Sequence, residues 1–266
     1  MRKLLIDTAS QVFPFLANLI ERLVLTAILL RAWQLDGFEY WSLAIAFAGV
    51  FILFDAGCQL TFGNGMTEAV VKGDEPRAVA IYRQSNAVFA LLGTLATLGV
   101  AAVAFSADLQ RLLGLDPGRF APESSQTLFA LGASSGLKLC LSNLFAVYRV
   151  QRAVARGTAL IALAELGRLG ALALVVIAGG SLALAAWTNL VLILAGLGAI
   201  AMFDISRRWP AFRFAWARPW GGALSGSWLT CLLFLLPTIP AIAVNQVPVL
   251  IPRRRILELP YRGTAK

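Results

Sequence analysis

Residues 158–203 read TALIALAELGRLGALALVVIAGGSLALAAWTNLVLILAGLGAIAMF. Two apolar runs, 158–178 and 181–203, are separated only by Gly179 and Gly180. Each run is close to the ~20 residues that a helix rising 1.5 Å per residue needs to cross a hydrocarbon core of about 30 Å. In lipid an open strand edge or irregular backbone would leave N–H and C=O groups unsatisfied, so both runs are read as helices. The glycine pair leaves room for only a tight turn, which predicts an antiparallel helical hairpin.

The same reading applies outward along the chain. Further apolar segments fall at about 12–32, 41–63, 85–105, 127–148 and 227–251. The expected fold is therefore all-α, a polytopic transmembrane helix bundle of about seven spans, with no soluble domain of useful size. Hydrophobic residues make up 59% of the chain and charged residues 14%, against about 45–50% and about 25% in soluble domains. A water-soluble fold this apolar could not cover its own surface. The net charge of +9 lies in short clusters between apolar runs, the pattern of a membrane protein facing a lipid bilayer, so no nucleic-acid partner is expected. The chain has no histidine, which removes imidazole proton transfer and histidine metal ligation. Cys58, Cys140 and Cys231 are isolated within apolar runs and read as packing residues. Neither a metal site nor a cofactor is expected. Asp7, Ser10 and Gln11 interrupt the apolar start before a signal-peptide core can form.

Lys and Arg set the orientation. With the N-terminus in the cytoplasm, that side holds Arg2 and Lys3, then Lys72, Arg77 and Arg83, then Arg149, Arg152 and Arg156, then Arg207, Arg208, Arg213 and Arg218. The other side holds Arg31, Arg111 and Arg119. This bias predicts an inner-membrane protein with a cytoplasmic N-terminus. Gly73-Asp74-Glu75-Pro76 reads as a turn with Asp74 capping a short helix and Pro76 in its first turn. Residues 204–227 mix arginines with Trp209, Phe212, Phe214, Trp216 and Trp220, as in a segment at the headgroup surface. Residues 252–266 break the charge pattern, because a spanning seventh segment would carry this basic tail to the outside.

Ionisable residues inside spans are costly and mark function by default. The first span carries Asn18, Glu21, Arg22 and Thr26 on one face. The second carries Asp55 and Gln59, and the fourth Ser134, Lys138 and Ser142. The fifth carries Glu165 and Arg168, three apart and able to pair locally; the seventh carries Thr238, Asn245 and Gln246. Arg22, Lys138 and Arg168 are the candidate substrate-binding residues, since arginine matches phosphate oxygens in a fork. Glu21, Asp55 and Glu165 are candidate coupling or structural acids. Small residues Gly132, Ala133, Gly136, Gly167, Gly170 and Ala171 would allow close helix approach. No Walker, G-x-S-x-G or H-E-x-x-H motif occurs, so no catalytic residue is assigned.

Phe38-Glu39-Tyr40-Trp41-Ser42-Leu43 opens the second span, Phe54-Asp55-Ala56-Gly57 follows, and Gly65, Glu68 and Gly73-Asp74 complete the pattern. This resembles the N-terminal region of polysaccharide (O-antigen type) flippases of the multidrug/oligosaccharidyl-lipid/polysaccharide exporter superfamily. The resemblance covers about residues 10–251. It implies a two-lobed transporter around a central cavity that flips a polyprenyl-diphosphate-linked glycan, and hence a transporter and not an enzyme. On that reading residues 1–226 form a first transmembrane lobe and 227–251 the start of a second. Residues 252–266 are then an atypical tail. The family needs twelve to fourteen helices. The expectation is thus a truncated or split product, completed by a homodimer or a separately encoded second lobe. Other readings are a cation-coupled multidrug exporter of the same fold, a membrane-embedded glycan polymerase or glycosyltransferase, and an inactive remnant.

Overall fold

A computed structural model of the chain describes residues 19–52, 58–112, 123–141, 143–213 and 215. Asp55, Ser142, the segment 227–251 and the tail 252–266 lie outside these residues, as do the side chains of Glu21 and Arg22. The described residues build helices and turns, with no strand among them. A π-helical turn, Glu21–Leu25, leads into α1, Thr26–Ile52. There follow α2 (Cys58–Val71), α3 (Glu75–Ala104), α4 (Ala107–Leu112), α5 (Glu123–Leu141), α6 (Leu144–Val150), α7 (Val154–Ile177) and α8 (Leu182–Ala199). A π-helical turn, Ile200–Ile205, then joins α8 to α9 (Ser206–Arg208) and a 3₁₀ turn, Pro210–Phe212.

Four helical stretches are long and apolar enough to cross a membrane: Glu75–Ala104, Glu123–Val150, Val154–Ile177 and Leu182–Arg208. They correspond to the third to sixth predicted segments. Their outward faces carry exposed leucines and valines such as Leu95, Leu98, Leu163, Leu174 and Val191, as lipid contact requires. The expected hairpin is present: Gly180 N–H bonds Val175 O, Gly179 N–H bonds Val176 O, and Gly179 has φ +82°. This paired closure of a helix end needs a left-handed residue, which glycine adopts without a Cβ clash. Ser181 then caps α8 by accepting from Leu184 N–H. The turn at Gly73 closes in the same way, and Asp74 accepts from Arg77 N–H with Pro76 in the first turn, as its sequence indicates. The short helix expected there is fused with the span behind it into the 30-residue α3.

One predicted feature is corrected. The outer loop expected between the first two segments is not a loop; α1 runs through it with one break, at Gln34 (φ 58°, ψ −171°). Leu25 and Ala48 line the same pocket, whereas 23 residues of straight helix would hold them about 35 Å apart. The two arms of α1 therefore fold back on each other at Gln34. Gly37 sits inside this corner, where a Cβ would lie 2.6 Å from the Trp33 Cβ. Within the fourth predicted span, which lies inside Glu123–Val150, Asn143 Nδ2 donates to Ser85 Oγ (2.6 Å) and Asn86 Oδ1 (2.9 Å) on α3.

The tightest seam runs between α3 and α5. A Cβ on Gly136 would lie 2.7 Å from Gly93 O, and one on Gly132 would lie 2.6 Å from the Val100 Cβ. Gly167 and Gly170, expected to serve similarly, have nothing within 4 Å of a built Cβ and face outward. Two apolar clusters fill the interior. One is centred on Phe62, Phe89 and Tyr148, the other on Trp41, Leu128 and Leu172.

Contacts sort the connections to two ends. At one end Trp33 Nε1 donates to Gly180 O (3.1 Å), Tyr40 Oη donates to Ser124 O (2.7 Å), and Gln110 Nε2 reaches Ser125 Oγ (3.3 Å). At the other end Asp204 takes hydrogen bonds from Tyr148 Oη (2.8 Å), Arg156 Nε and Arg208 Nε. Trp209 packs edge-on against Tyr148 with ring centroids 5.5 Å apart.

Candidate functional site

Between the α1 corner and the α5–α7–α8 group lies a pocket of about 120 Å³. One wall is apolar, from Leu25, Trp41 and Ala48; the facing wall carries Ser134, Ser135, Lys138, Arg168 and Asn189. Helix geometry explains the grouping. Ser134 and Lys138 are one turn apart on α5, Glu165 and Arg168 share a face of α7, and Asn189 lies on α8 directly across from them. At 1.5 Å per residue, Asn189 is about 12 Å from the Ser181 cap and Arg168 about 14 Å from the end of α7. The polar wall thus sits near the middle of the bundle's length.

The side chains form one connected chain across three helices. Lys138 Nζ lies 3.1 Å from Glu165 Oε1, and Arg168 Nε donates to Glu165 Oε2 at 2.5 Å. Arg168 Nη1 donates to Asn189 Oδ1 (2.7 Å), Asn189 Nδ2 donates to Ser134 Oγ (3.0 Å), and Ser134 Oγ donates to Ala130 O (2.8 Å). Arg168 is 7% exposed, Asn189 6% and Ser134 3%. Lys138 and Glu165 are more open, with about a third of each side chain accessible. Burying such groups is tolerable because nearly every polar atom finds a partner. The guanidinium suits this position because its donors point in fixed directions to two different helices.

Of the sequence-nominated residues, the structure brings Lys138, Glu165 and Arg168 together. Arg22 and Glu21 begin the π-helical turn whose last residue, Leu25, lines the same pocket. Asp55 lies outside the described residues. Asn189 was missed: a lone asparagine amid apolar residues of α8 carries the same signal as a buried charge, but no local partner points to it. Among the described residues no cluster of His, Cys, Asp or Glu could hold a metal. Cys58 is buried, and Cys140 reaches only Ala90 O, at 3.9 Å.

The arrangement offers a cationic fork, an ammonium group, an amide and hydroxyls against an apolar wall. That combination can hold an anionic group attached to an apolar body. No protein-family model, no curated protein and no solved structure matches this chain.

Proposed function

We propose that the chain translocates a lipid-linked oligosaccharide across the inner membrane, as a flippase lobe with its basic end in the cytoplasm. The observation that carries the reading is the pocket at mid-depth, with Lys138 and Arg168 on one wall and Leu25, Trp41 and Ala48 on the other. A polyprenyl-diphosphate glycan presents the complementary pair, a phosphate charge and a long apolar chain. Arg168 would hold a phosphate oxygen and Lys138, the more accessible cation, would follow the substrate as it enters. Arg22, in the helical turn that ends at Leu25, is the third proposed substrate-binding cation. The flippase resemblance in residues 38–74 supports the same substrate class. The partner is a second lobe, as a homodimer or a separate chain.

The test is complementation of a strain lacking surface-polysaccharide export. Arg168→Ala and Lys138→Ala should each abolish surface glycan while membrane expression persists. Wild-type glycan levels in both variants would overturn the reading.

The second reading, a cation-coupled drug exporter, needs an acid that alternates between charged and neutral. Glu165 contacts both Lys138 and Arg168, which makes it their countercharge and a poor proton carrier. A drug-efflux assay with a pH jump separates the two: Glu165→Gln should leave proton-driven efflux absent in both forms if the flippase reading holds.

A further inference from the structure

Where α8 ends, its helix widens. Ile200–Ile205 is a π-helical turn in which both the N–H and the hydroxyl of Ser206 go to Ala201 O. This turn sends two kinds of residue in opposite directions. Asp204 faces inward and gathers Tyr148, Arg156 and Arg208. Met202 and Phe203 face outward, 70% and 60% exposed. One turn later Arg207, also exposed, sets its guanidinium over the Phe203 ring at 5.6 Å from the centroid.

Two neighbouring arginines, Arg156 and Arg208, are committed to Asp204, whereas the partner seen for Arg207 is a ring face. A cation–π contact leaves the guanidinium edge and its donors directed outward. Below it lies an apolar face of a helix long enough to span a membrane, and around it a basic end of the bundle, with Arg208 next in sequence and Arg213 six residues on. An apolar face beneath and cations above match the two parts of a lipid with a negatively charged headgroup.

We propose that the outer face of the α8 terminus, Met202–Phe203–Arg207, is a binding site for an anionic phospholipid. The headgroup phosphate meets the Arg207 guanidinium, and the acyl chain lies along Met202 and Phe203. This site is separate from the central pocket and does not depend on what that pocket carries. A π-helical turn serves it by presenting Phe203 and Arg207 to lipid while Asp204 stays inside, so the headgroup does not meet a carboxylate.

The test is native mass spectrometry of the full chain in detergent, titrated with phosphatidylglycerol or phosphatidylcholine of identical acyl chains. Phosphatidylglycerol adducts should dominate. Arg207→Gln should weaken them about fivefold, the effect of removing one basic residue from an anionic surface, and Phe203→Ala should weaken them as well. Arg77→Gln, a matched charge loss at the start of α3, should leave them unchanged. Millimolar inorganic phosphate should not displace the lipid. Equal binding of the two lipids, unchanged binding in Arg207→Gln or Phe203→Ala, or an equal loss in Arg77→Gln would each overturn the site. Displacement by phosphate would reduce it to a general anion contact and overturn the lipid assignment.

Discussion

Arg168 spans from Glu165 on its own helix to Asn189 on the next, a reach that depends on a forked donor. Arg168→Lys keeps the charge but supplies no fork, so it leaves either Asn189 or Glu165 without its donor. The expected loss is about 1–3 kcal/mol, read as a lower unfolding temperature in detergent. Asn189→Ala should cost a similar amount, and the double variant should cost less than the sum because both break one network. Additive losses would show that the groups act independently. The Glu165–Arg168 pair was legible from spacing alone, since residues three apart share a helix face. Asn189 was not legible, because its partners are 21 and 55 residues away. A second residue-scale effect concerns Arg152, which closes α6 with φ 54° where Gly73 and Gly179 close their helices. A side chain in that left-handed conformation costs about 1 kcal/mol. Arg152→Gly should raise the unfolding temperature, and Gly179→Ala should lower it.

The α3–α5 seam depends on the absence of side chains. Gly136→Ala would push a methyl group against the Gly93 carbonyl and Thr97, both on a helix that α5 cannot leave without opening the pocket wall. Overpacking of this kind costs about 1–3 kcal/mol. Gly167→Ala and Gly170→Ala, with open space around them, should be neutral or slightly stabilising, since alanine favours helix over glycine. Thermal unfolding of the three variants in one detergent checks the contrast; equal losses would deny the seam. In the sequence, all these glycines looked alike. Their spacing reveals which face of a helix they occupy, but only the packing partner decides whether the face is crowded or open. The helix ends were far more legible. Gly179-Gly180-Ser181 and Gly73-Asp74 carry their turn chemistry within a few residues, and the structure follows it. The break at Gln34 carries no such signal: glutamine is not a residue that favours positive φ, and the bond that ties its neighbour Trp33 to Gly180 spans 147 residues.

Charge divides the molecule along its length. Lys72, Arg77, Arg149, Arg152, Arg156, Arg207 and Arg208 gather at one end, while Asp36, Glu39, Asp108 and Glu123 lie toward the other. If the basic end faces the cytoplasm, as proposed, a cysteine at Arg152 should react with an impermeant thiol reagent only in inside-out vesicles. One at Asp108 should react only in intact cells. Both are read in a background with Cys58, Cys140 and Cys231 replaced by serine, and the reverse pattern would invert the bundle. Hydropathy placed seven segments, and four of them, the third to the sixth, are long apolar helices among the described residues, because length and composition suffice there. It could not show that the first two segments meet at a single-residue corner. That corner makes the pocket sensitive to chain length at one point. A residue inserted into either arm beside Gln34 would rotate that arm by about 100° against the other, turning Leu25 or Trp41 and Ala48 away from the pocket they line together.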